Sequence, residues 1–341
     1  MKAWLLHQTT DLSKSQNPLV LEEMPVPTAG KNEILIRVSC CGVCHTELDE
    51  IEGRVKAPSY PVVLGHQVIG VVEKLGADAT LFNIGDRVGV AWIGNACGQC
   101  ALCLAGKENL CEQFKATGRD IHGGYAEYMT VDERFAYTIP DFFSNEQAAP
   151  LLCAGAIGYR SLTLTNLQNK ETLGLMGFGA SAHIVLKLCK YLYPDSAIMV
   201  FARGEKERSF AISLGASWAG NITDQPSLAP KAIIDTTPSW KAIVASLQVL
   251  QPGGRLVINA IRKESFDEEA LLNLSYPEHL WMEKEIKSVA NITRNDVSMF
   301  LKIASEIPLV PEVQVYPFTD ANRALLDLKH KHVKGAKVIS F

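Results

Sequence analysis

Four cysteines fall within fifteen residues, Cys97, Cys100, Cys103 and Cys111, spaced C-x2-C-x2-C-x7-C. Thiolates this close can wrap one ion as a tetrahedral all-sulfur site with no position left open. Gly94, Gly98 and Gly106 let the backbone turn between them. Such a lobe needs no apolar core of its own, so the metal acts as a staple. Four thiolates also serve iron, so an iron–sulfur cluster is the competing occupant. The chain carries nine cysteines in all. The N-terminal stretch has too short an apolar run for a signal peptide, which points to a reducing, cytoplasmic setting. Spaced cysteines there hold metal or do chemistry more often than they form disulfides.

Around this lobe the chain has two textures. Up to about residue 150, short apolar alternations such as Glu33 to Val38, Val68 to Leu75 and Asp86 to Val90 are broken by Gly, Pro and Asp. That pattern predicts a small, mostly β domain. From about 172 it becomes strand–helix alternation. Strands are expected at Leu173 to Met176, Ala197 to Phe201, Ala232 to Asp235 and Arg255 to Ala260. Helices are expected at Ala180 to Leu192, Glu205 to Leu214 and Trp240 to Leu250, with a last helix near Asp320 to Leu328 and a last strand near 336–340. Regular βαβ units imply a parallel sheet covered on both faces, so the class is α/β. At 341 residues, the length suits two domains.

Gly177-Phe178-Gly179-Ala180-Ser181-Ala182 reads G-x-G-x-x-A, after a strand and at the start of a helix. That is the context of a dinucleotide loop. Gly177 permits the tight turn, Gly179 lets a pyrophosphate approach the helix N-terminus, and Ala182 allows close helix–strand packing. The next strand ends in Ala202-Arg203, where an NAD site usually carries an acid for the ribose hydroxyls. Removing the acid and adding a planar cation favours NADP. The other reading keeps Arg203 in solvent and NAD as the cofactor.

Cys44, His66 and Cys153 each stand alone in the sequence, and spacing does not join them. Their surroundings do carry a resemblance. Cys-Gly-Val-Cys-His-Thr-Glu-Leu (41–48), Leu-Gly-His-Gln-Val-Ile-Gly (64–70), Gly-Asp-Arg-Val (85–88), the cysteine lobe, His-Gly-Gly-Tyr-Ala-Glu-Tyr (122–128) and Leu-Leu-Cys-Ala-Gly (151–155) follow in order. In these segments and their order the chain resembles the medium-chain zinc-dependent alcohol dehydrogenases.

The resemblance implies a GroES-like catalytic domain (1–152 and 291–341, with the zinc lobe at about 94–112) and a doubly wound Rossmann domain (153–290). It implies two zinc ions per chain. Cys44, His66 and Cys153 become ligands of a catalytic zinc with one open position, and Cys97, Cys100, Cys103 and Cys111 ligands of a structural one. Thr46 becomes the hydroxyl that takes the alcohol's proton, His45 a basic group near the cofactor pyrophosphate, Glu47 a support behind the zinc, and Trp92 a wall of the substrate pocket. The reaction implied is reversible oxidation of an alcohol to an aldehyde or ketone, by hydride transfer from a zinc-held alkoxide to NAD(P)+. A homodimer or homotetramer is the implied assembly. Three positions depart from the commonest family pattern: Gln67 replaces a Glu, Glu47 an Asp, and Asp49 a His that ends the proton relay.

Two other functions share part of this pattern. A zinc-free quinone oxidoreductase binds NADPH on the same fold but lacks these cysteine ligands. A zinc module for nucleic acid needs a basic, aromatic-interleaved patch, whereas the net charge here is −4. The basic run Lys329 to Lys334 reads as a solvated helix end. No stretch is long and apolar enough for a membrane span.

Overall fold

The computed structural model describes residues 1–330 and 335–341; the basic run at 331–334 lies outside the described residues. The chain divides into two compact units, Met1–Ala156 with Ile292–Phe341, and Ile157–Asn291.

The first unit is built on the long strand Glu33–Val43. It pairs antiparallel with Val68–Leu75, Tyr128–Asp132 and Ala336–Ser340, at the heart of a seven-stranded sheet. Register shifts at Leu35/Ile36 and Val38/Cys40 bend the strand, as an extra residue in a ladder does. Its inward residues Ile34, Ile36, Val38 and Cys40 are buried. The strand ends at Val43, so Cys44 opens the helix His45–Ile51 directly from the sheet. A short ribbon, Ile93–Asn95 against Lys115–Ala116, closes the base of the loop that carries the four cysteines.

The second unit is a six-stranded parallel sheet. Numbering its strands as they come in the chain, the spatial order is 3-2-1-4-5-6. Its central strands, Leu173–Met176, Ile198–Phe201 and Ala232–Asp235, are buried throughout. That fits a sheet covered on both faces, whose strands read as continuous apolar runs. Two members were absent from the sequence reading. Trp218–Gly220 has three residues, and Glu285–Ser288 is an edge strand exposed at every position. The strand expected to reach Ala260 ends at Ile258; Asn259 N–H adds one last ladder bond, to the carbonyl of Asp235 at 2.8 Å.

Candidate functional site

Cys44, His66 and Cys153 converge. Their ligand atoms lie within 4.8 Å of one another. Cys44 Sγ is 3.5 Å from His66 Nε2 and 4.0 Å from Cys153 Sγ. A tetrahedral ion with bonds of about 2.3 Å to sulfur and 2.0 Å to nitrogen sets such donors roughly 3.5–3.8 Å apart. The set therefore fits one zinc-sized ion closely. Crowding against Cys153 and burial push the Cys44 thiol well above its ordinary value. A cation shared by the donors relieves that cost, because the thiolate is the ligand form.

Local structure fixes each donor. Cys44 is the N-cap of its helix: its sulfur accepts the Thr46 N–H at 3.4 Å, and its own N–H donates to Glu47 Oε2 at 2.8 Å. The other oxygen of Glu47 stands 2.5 Å from His66 Nδ1. One carboxylate thus braces two ligands, and the added methylene of Glu47 reaches the imidazole. Burial opposes charge on His66, but Glu47 and Cys44 outweigh it and raise its pKa. An imidazole held in this way offers Nε2 to a metal while Nδ1 keeps its proton. His66 follows Gly65, whose backbone has φ +95°. The Gly-Gly-Tyr segment supports this turn: Gly124 N–H donates to Gly65 O and Tyr125 N–H to Leu64 O. Cys153 caps the short helix Ala149–Leu152.

The four-cysteine lobe forms a second cluster, again with all ligand atoms within 4.8 Å. Cys97 and Cys103 sulfurs are 3.8 Å apart, and Cys111 and Cys97 sulfurs 3.5 Å. N–H groups of Cys100, Cys103 and Gln113 point at the sulfurs of Cys97, Cys100 and Cys111. Those from Gln99 and Cys100 pull Cys97 down to about 6, whereas burial pushes Cys103 up to about 12. Sulfurs this close suit a single ion; a multi-iron cluster gives the thiolates different irons and spreads them wider.

The remaining expected residues are distributed around these features. Thr46 is half-buried and His45 exposed on the first turn of the Cys44 helix. Trp92 is half-buried, 5.0 Å from the Phe114 ring and 5.3 Å from the Arg119 guanidinium carbon, with its indole nitrogen unpartnered. Asp49, at the position where a relay histidine is usual, is buried and paired with Arg54 at 2.6 Å. Sequence reasoning missed Glu50. It is 1% exposed with neither carboxylate oxygen hydrogen-bonded. Burial, then Glu47, raises its pKa well above the ordinary range, against His66 and Arg119. The available signal was its spacing of three from Glu47, which puts both on one helix face.

In the second unit, Gly177 has φ +88°, and a Cβ there would meet Thr236 Oγ1 at 2.8 Å. Gly179 is the N-cap of helix Ala180–Leu192, and a Cβ there would meet nothing within 4 Å. Phe178 is buried with its ring 6.0 Å from Phe210, Ser181 is half-buried, and Ala182 is fully buried. Ala202 is buried and Arg203 exposed at the end of the second strand. Arg208, which sequence reasoning passed over, donates to the carbonyls of both at 2.9 and 2.8 Å.

Residues 30–141 match the family model described as the alcohol dehydrogenase GroES-like domain. A probable alcohol dehydrogenase of Mycobacterium tuberculosis is 38% identical over 344 residues, covering 99% of this chain and 97% of that protein. Among solved structures, a cobalt- and zinc-bound thermostable alcohol dehydrogenase from Pyrobaculum aerophilum is similar with TM-score 0.83 and 25% identity, over 100% of this chain and 99% of that one. A cinnamyl alcohol dehydrogenase from Sorghum bicolor has TM-score 0.82 and 26% identity, over 99% and 97%.

Proposed function

The chain belongs to the medium-chain alcohol dehydrogenase family, and from that premise we propose a division of labour between its two units. Met1–Ala156 with Ile292–Phe341 carries the alcohol chemistry and two zinc ions; Ile157–Asn291 holds the nicotinamide dinucleotide. The reaction is reversible oxidation of a small-molecule alcohol to an aldehyde or ketone, with hydride passed to NAD(P)+. One observation carries this reading: Cys44, His66 and Cys153, up to 109 residues apart, bring their donor atoms within 4.8 Å.

A zinc ion held there supplies a Lewis acid that lowers the proton affinity of the alcohol oxygen. The protein does the rest. Glu47 fixes the imidazole tautomer and, through the Cys44 N–H, the first ligand. Thr46, two residues after Cys44, is assigned to accept the alcohol's proton. Asp49 is engaged by Arg54, so the proton leaves through solvent and not through that carboxylate. His45 is assigned to the cofactor pyrophosphate and Trp92 to the substrate wall. Cys97, Cys100, Cys103 and Cys111 hold the structural ion. The dinucleotide loop is Gly177 to Ala182. Ala202 and Arg203 favour NADP, with Arg208 bracing their backbone. Among the described residues, no helix is long and apolar enough to cross a membrane. We assign a cytoplasmic homodimer or homotetramer.

Metal analysis of the purified chain should return two zinc ions; zero or one would sink the two-site assignment. Cys44→Ala should keep a folded, dinucleotide-binding protein. Its turnover should fall by about a thousandfold or more, since the Lewis acid supplies several kcal/mol. Near-wild-type turnover would remove Cys44 from the chemistry. Cys103→Ala should instead lower thermal stability.

A further inference from the structure

The loops after the fourth and fifth strands of the parallel sheet are tied together by one side chain. Lys263 is 8% exposed at its side chain and reaches the fully buried Asp235. Its ammonium donates to Asp235 Oδ2, to Thr237 O at 2.7 Å and to Ser239 O at 3.3 Å. An ammonium has three hydrogens, so all are used. Asp235 is satisfied as well, since Oδ1 accepts from Thr237 Oγ1 at 2.7 Å and Thr237 N at 3.3 Å. Glu264 N–H donates to Pro238 O at 2.8 Å and completes the stitch.

The place of this cluster gives it meaning. Asp235 ends the fourth strand, directly opposite Met176 at the end of the first. In a 3-2-1-4-5-6 sheet the order reverses between those two strands, and dinucleotides bind outside their carboxyl ends. Gly177 follows Met176. Thr236 N–H donates to Met176 O at 2.9 Å. A Cβ on Gly177 would meet Thr236 Oγ1 at 2.8 Å and Thr237 Cγ2 at 2.9 Å. The glycine loop therefore packs on the turn that Lys263 clamps.

A buried ion pair is a poor way to gain stability, because desolvating both charges offsets most of their attraction. An apolar pair of similar volume would hold a scaffold as well. What the ammonium adds is direction: it fixes two carbonyls and a carboxylate at once. We propose that Lys263 is a positioning residue for the nicotinamide dinucleotide, setting the 235–239 turn against which the pyrophosphate loop is formed, without touching the cofactor itself. The proposal rests on the reading of Gly177 to Ala182 as a dinucleotide loop. Preorganised geometry of this kind appears as affinity.

The test uses the full-length zinc-loaded protein and titrations with NADPH and NADH, followed by fluorescence. Lys263→Met should weaken dinucleotide Kd and raise its KM by about tenfold or more. Saturated kcat should stay within about twofold and alcohol KM should not move, because the clamp acts on the cofactor site alone. Lys263→Met/Asp235→Asn removes the stranded charge. It should regain most of the lost Tm but not the lost affinity. A single variant with wild-type Kd, or a double variant that regains both properties, would overturn the positioning role. Wild-type protein that binds neither dinucleotide would instead overturn the reading of the loop.

Discussion

Ala202 is a small buried residue at the carboxyl end of the Ile198–Phe201 strand, 4% exposed, with exposed Arg203 beside it. A carboxylate at that spot accepts ribose hydroxyls and repels a 2′-phosphate. Ala202→Asp should therefore lower the NADP-over-NAD ratio of kcat/KM by about tenfold or more. An unchanged ratio would show that the strand end does not choose the cofactor. The residues that decided the reading differ in how openly they announce themselves. The four cysteines of the lobe are close in sequence, as donors carried on a single loop are, and spacing alone groups them. The trio of Cys44, His66 and Cys153 is joined only by the fold, so no spacing rule finds it; family resemblance did. Glu50 was marked only by its spacing of three from Glu47, and its burial was not legible. A glutamate on a short helix normally faces solvent, and nothing local marks this one as 1% exposed.

At the scale of elements, buried strands were legible and exposed ones were not. Leu173–Met176 and Ala232–Asp235 are covered on both faces and read as apolar runs. Glu285–Ser288 carries Glu-Ile-Lys-Ser on an open edge and gives no such signal. Helix Trp240–Val249 illustrates how loops serve elements. Its N-terminus is closed by Ser239 and, from the next loop, by Asp267, which accepts from the N–H groups of Trp240 and Lys241, each at 3.0 Å. Burial alone would raise the Asp267 pKa, but the Ser239 hydroxyl and these two N–H groups hold it below its ordinary value. A depressed carboxylate stabilises the fold above its unfolded pKa, and that contribution is lost as pH falls through the folded value. Asp267→Ala should cost about 1 kcal/mol at neutral pH. Urea unfolding should show the difference from wild type shrinking below about pH 4. A difference of equal size at pH 3 and pH 7 would place the effect in packing and not in the charged cap.

For the whole molecule, both candidate metal sites lie within Met1–Ala156 with Ile292–Phe341, and the dinucleotide loop lies within Ile157–Asn291. Chelation should thus act on one unit. Removing metal should lower the transition of the cysteine-bearing unit by at least about 10 °C. The other unit's transition, identified by its shift with NADPH, should stay in place. Calorimetry in which both move together by the same amount would refute that separation.

The arrangement of the metal donors also sets an order of assembly. The four-cysteine loop closes over fifteen residues and can load while the chain is still being synthesised. The other site needs Cys153, and Val43, the last strand residue before Cys44, finds its ladder partner in Lys337. With ions in both candidate sites, biogenesis would be staggered: the loop site could fill early and act as a folding aid. The other site would gain its supporting strand only once the segment around Lys337 has been made and paired, so a shorter nascent chain could hold the staple without yet being able to react.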